Sequence, residues 1–124
     1  MKKTLMLVVA AAFASLFIAH NVQAMGKKKA ITGTVVDTYC LVTMNMGGAS
    51  HVKCGTSCAE NGAPLGVKED KTGTVYLVAG HNKNMTFAPS GLQKYLEQRV
   101  TVNGTVFERD GLKMIVVDSA APAK

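Results

Sequence analysis

Residues Arg99 to Asp118 read RVTVNGTVFERDGLKMIVVD, two runs that alternate apolar and polar positions around a central Asp110-Gly111. Val100, Val102 and Val106 fall on one side of the first run, the period of two expected of a strand with one face buried. Asp-Gly accepts the positive φ angles of a two-residue hairpin turn, so Arg99–Arg109 and Leu112–Asp118 pair as antiparallel neighbours.

Working toward the N-terminus, Ser90 to Gln98 places Leu92, Tyr95 and Leu96 at helical spacing, and a short helix is expected there. Before it come a polar loop from Gly80 to Pro89 and three further strand-like runs. These are Thr74–Ala79 (TVYLVA), a brief Ala63–Val67 whose Pro64 confines it to a strand end or edge, and Ala30–Tyr39 (AITGTVVDTY). Three strands, a helix and two strands is the element order of the OB-fold, a five-stranded Greek-key barrel, which makes the expected class all-β. Gly33 and Gly104 inside the first and fourth strands suit the bends or bulges that barrel closure needs. An open α+β sheet of the same elements is the alternative.

The ends divide the remaining chain. Lys2 and Lys3, an apolar run from Leu5 to Ala19 and the Val22-Gln23-Ala24 ending have the three-part layout of a secretory signal spanning residues 1–24. The apolar run is about 15 residues, short of the ~20 that span a bilayer, so cleavage should leave no transmembrane segment and a periplasmic or secreted protein. Removing the signal lowers the formal charge from +6 to +4. Residues 25–29, with Lys27, Lys28 and Lys29, read as a basic flexible stub, 30–119 as the OB-like domain and 120–124 as a frayed tail.

The chemistry concentrates between the first two strands. All three cysteines fall there, with a histidine among them in His51-Val52-Lys53-Cys54-Gly55-Thr56-Ser57-Cys58. As a helix from about His51 to Glu60, capped by Ser50, this run puts His51, Cys54 and Cys58 within about 60° of one another on one face. Cys40, leaving the first strand, could fold back over that face through a loop containing Gly47-Gly48. One nitrogen and three sulfurs would then converge as a closed Cys₃His site, which suits zinc. Met44 and Met46 in the same loop add thioethers, and these select Cu(I).

This combination resembles the small periplasmic copper and silver chaperones. The resemblance implies an OB-fold and a soft metal held by Met and His ligands. The present chain has no tryptophan, and its candidate ligands lie in an insertion rather than on the strands.

Export sets a competing reading, because an oxidising compartment joins thiols. A bridge from Cys40 to Cys54 or Cys58 would leave one thiol over, and the protein would be a disulfide-stapled module binding an envelope protein or small ligand. Cys54 and Cys58, one helical turn apart, are badly placed to bridge each other.

Other classes fit less well. The Cys-x-x-Cys of thiol oxidoreductases and the paired cysteines of covalent haem attachment are absent. A Cys54 or Cys58 thiol activated by His51 has no third, orienting group in view, so the expectation is a non-enzyme. Tyr39, Tyr76 and Phe107 could stack bases on a barrel surface, but export argues against a nucleic-acid partner and leaves an envelope protein as the expected one. His81 reads as a surface histidine.

Overall fold

The computed structural model describes residues 26–80 and 91–124. Five strands, β1 (Lys27–Asp37), β2 (Leu65–Glu69), β3 (Val75–Gly80), β4 (Arg99–Arg109) and β5 (Leu112–Pro122), close into a barrel in the order β1-β2-β3-β5-β4. Neighbours run antiparallel except β3 and β5, which are parallel. Two helices, α1 (Thr38–Met44) and α2 (Val52–Glu60), occupy the connection from β1 to β2, with a 3₁₀ turn at Ala49–His51 leading into α2.

Closure depends on β1 serving two neighbours. Gly33 pairs with Glu69 on β2 and with Val100 on β4. Its backbone is approached so closely that a Cβ there would stand 2.1 Å from the Lys68 carbonyl oxygen. At Gly104 the β4–β5 register slips, and a Cβ would meet the Val116 carbonyl oxygen at 2.3 Å. Both glycines thus sit where the wall bends and the chains press together.

The interior follows the alternation of the strands. Ile31, Val35, Val67, Val100, Val102 and Ile115 are wholly inaccessible to solvent, and Leu65, Val78, Leu92 and Leu96 join them. Burial of this many branched side chains, each contributing about 1.5–3 kcal/mol, is the main term holding the barrel shut. The hairpin turn forms at Asp110-Gly111 with φ of 51° and 82°, the positive pair that a tight hairpin requires.

Several sequence boundaries move. β1 starts at Lys27, because Lys27, Lys28 and Lys29 pair with Val106, Thr105 and Gly104; the basic residues are strand rather than stub. β5 continues to Pro122 by pairing Ala120 to Pro122 with Val102 to Val100, which orders most of the expected tail. The helix expected over Ser90–Gln98 is only a 3₁₀ turn at Leu92–Tyr95 among the described residues, since Leu96 is drawn into a bridge with Val35. Conversely, Thr38–Met44 is helical although no helix was expected there. The signal expected over residues 1–24, His81 and most of the Gly80–Pro89 loop lie outside the described residues. No helix among the described residues is long and apolar enough to cross a membrane.

Candidate metal centre

The centre is built where β1 stops being a strand. Asp37, its last residue, is extended, and its Oδ1 accepts hydrogen bonds from the amides of Tyr39 at 2.9 Å and Cys40 at 3.1 Å. This N-cap turns the chain into α1 and points Cys40 inward at the first turn. Asp37 and Cys40 are each 1 % exposed.

His51 reaches the same place from the other side of the insertion. It closes the 3₁₀ turn ahead of α2 and is 2 % exposed. One oxygen of Asp37, the Cys40 Sγ and one ring nitrogen of His51 lie within 4.8 Å of one another. α2 closes over the imidazole with a glycine: a Cβ at Gly55 would stand 2.9 Å from His51 Cε1 and 2.7 Å from Leu96 Cδ2. Glycine in mid-helix costs about 1 kcal/mol relative to alanine, and here it makes room for the ring.

Glu97 orients that ring. Its Oε1 lies 2.9 Å from His51 Nδ1, with side chains 1 % and 2 % exposed. With Glu97 accepting and the ring neutral, Nδ1 carries the proton and Nε2 keeps its lone pair. The second Glu97 oxygen accepts the Gly48 amide at 2.8 Å. Glu97 itself has φ of 59°, a left-handed conformation unusual for a non-glycine residue. It is held there because its own amide donates to Val35 O while Val35 N donates to Gln98 O. A strained residue clamped to the barrel thus fixes the tautomer of a histidine from the insertion.

Among the described residues, two polar atoms in this buried space have no hydrogen-bond partner: Asp37 Oδ2 and His51 Nε2. Each unpaired buried group costs about 1–3 kcal/mol or more. The Cys40 thiol is pushed up to about 12, first by the Asp37 side chain set against it, then by burial, then by Cys58.

The remaining expected ligands divide. Cys58 is half-buried, with its sulfur 3.9 Å from that of Cys40, although it lies outside the Asp37–Cys40–His51 group. Its thiol is also pushed up, first by burial, with the contact to Cys40 acting in the opposite direction. Cys54 is exposed, so the expected face presenting His51, Cys54 and Cys58 together is not formed. The buried face of this segment is His51, Gly55 and Ala59, each one turn after the last, and Cys54 lies to its side. Met44 and Met46 are 50 % and 41 % exposed, at the end of α1 and just beyond it, on the solvent side of the insertion. All three cysteines are free thiols, so the Cys40 bridge of the competing reading is not formed.

Two residues of this centre escaped the sequence reading. Asp37 had a local signal, an acid placed to cap the run Thr38-Tyr39-Cys40. Glu97 had none, because 46 residues separate it from the histidine it contacts. No known family model matches this chain, and no curated protein matches it.

Proposed function

We propose that this is an exported metal-binding protein with an OB-like barrel, whose centre is formed by Asp37, Cys40 and His51 with Cys58 as the fourth donor. The observation that carries this reading is that Asp37, Cys40 and His51, all buried, each bring a ligand atom within 4.8 Å of the others, while Asp37 Oδ2 and His51 Nε2 have no hydrogen-bond partner among the described residues. A carboxylate set against a cysteine opposes formation of a nucleophilic thiolate, so Cys40, His51 and Glu97 make a poor catalytic triad despite their order. A cation reverses that logic: it satisfies both orphaned atoms and draws the proton off the thiol.

The donor set speaks to the metal. One carboxylate oxygen, one imidazole nitrogen and two sulfurs suit zinc better than Cu(I), for which the thioethers of Met44 and Met46 would need to be drawn in. Two thiolates on a tetrahedral zinc, at about 2.3 Å each, stand about 3.8 Å apart. The Cys40 and Cys58 sulfurs are 3.9 Å apart. The His51–Glu97 pair supplies the carboxylate that metal-bound histidines commonly donate to. A centre this buried supports a structural role, pinning the insertion to the barrel where an envelope partner would dock.

Native mass spectrometry of protein purified without chelator tests the reading. One metal per chain is expected, lost on Cys40→Ser and on His51→Ala. A metal-free chain two daltons light would overturn it in favour of a disulfide.

A further inference from the structure

The three cysteines are graded in exposure across the insertion. Cys54 is exposed, Cys58 is half-buried one helical turn further along α2, and Cys40 is fully buried with its sulfur 3.9 Å beyond that of Cys58. Residues four apart on a helix are about 6 Å apart along its axis and share a face. Sulfur donors therefore run from solvent to the buried carboxylate and imidazole in two short steps. Only the last two are placed to remain ligands.

We propose that Cys54 is a loading thiol, which takes a thiophilic metal ion from a soluble complex and passes it through Cys58 to Cys40. The proposal rests on the metal-centre reading above. In the first step the Cys54 sulfur bonds to the metal while one donor atom of the delivering complex leaves with the thiol proton. Cys58 then displaces Cys54, which recovers a proton from the Cys58 thiol. Cys40 bonds next, releasing its proton to solvent, and Asp37 and His51 complete the set as the remaining donor atoms of the delivering complex leave. Net, two protons leave and Cys54 ends as a free thiol, so it accelerates loading without altering the final affinity.

A second route is available in the structure. A cleft of about 450 Å³ lined by Leu41, Met46, Gly47, Gly48 and Glu97 opens beside the insertion. Its walls present one thioether and no thiol, a weaker attraction for a metal bound to a competing ligand. The buried Glu97 also stands between this cleft and His51.

Stopped-flow transfer of zinc from its complex with 4-(2-pyridylazo)resorcinol separates the two routes. Cys54→Ser is expected to slow transfer at least tenfold while leaving the end point within twofold of the parent protein. Cys58→Ser lowers the end point itself. In the loaded parent protein, iodoacetamide is expected to alkylate Cys54 alone. Transfer to Cys54→Ser at the parent rate would overturn the loading role and favour the cleft, with the metal centre intact. A lowered end point in Cys54→Ser would overturn it by making Cys54 a resident ligand. If the parent protein takes up no zinc, the centre and the relay fall together.

Discussion

The barrel wall and the α1–α2 insertion solve the problem of stability by different means. The wall buries Ile31, Val35, Val67, Val100, Val102 and Ile115 completely and pairs every strand on both sides. The insertion adds one residue, Ala59, to that apolar cluster, and leaves Tyr39, Val42, Met44, Met46 and Val52 facing solvent. What it buries instead is polar: Cys40, His51 and, at its root, Asp37. Apolar burial is non-directional and tolerates imperfect geometry. Buried polar groups are stabilising only when every partner is present. On the metal-centre reading proposed above, the insertion is the part of the molecule whose order depends on the ion.

The largest expected effect breaks the wall. Ile115→Ala removes a fully buried side chain from β5 and should cost about 2–5 kcal/mol, seen as a lowered urea midpoint with all probes shifting together. On the proposed reading of the centre, chelation of its metal should behave in the opposite way. Amides of Thr38–Met44 and Val52–Glu60 would exchange faster with solvent, while those of β4 and β5 keep their protection.

A smaller effect tests the clasp between the two regions. Glu97→Gln keeps the shape of the side chain but weakens the hold on His51 Nδ1, and zinc affinity measured by chelator competition should fall about 10–100-fold, the usual range for such outer partners. Affinity unchanged from the parent protein would mean that the ring is positioned by Gly55 and Leu96 packing alone.

The smallest effect lies in the wall's own polar rim. Glu69 is held below its ordinary value of 4.5, first by the Thr72 hydroxyl at 2.6 Å and then by Lys29 at 2.9 Å. A lowered carboxyl contributes stability that is full above its unfolded value and is lost as pH falls through the folded one. Glu69→Gln should flatten the acid limb of a plot of melting temperature against pH below about 4.5, and leave the neutral plateau within a few degrees. Lys29 is raised by Tyr76 and Glu69, so its contribution persists below its ordinary value of 10.5 and is lost only as pH rises past its folded value.

Strands were legible where a short-range rule sufficed. The alternation of Val100, Val102 and Val106 and the Asp110-Gly111 turn located β4 with its observed limits, and Gly104 marked the bulge. The helix over Val52–Glu60 was legible within a residue. The ends of β1 and β5 were not, because Lys27–Lys29 and Ala120–Pro122 carry weak strand preference and are ordered by the neighbours they pair with.

For the site, the linear order of residues supplied the available chemistry: three thiols and an imidazole within nineteen positions, Cys40 to Cys58. The fold settled which of them meet. It turned Cys54 outward, brought Asp37 in as a cap with one oxygen to spare, and set Glu97 against His51. Ligand identity is a local property of the chain, whereas convergence depends on how a closed barrel positions the residues before and after an insertion, and that is fixed by pairings dozens of residues apart.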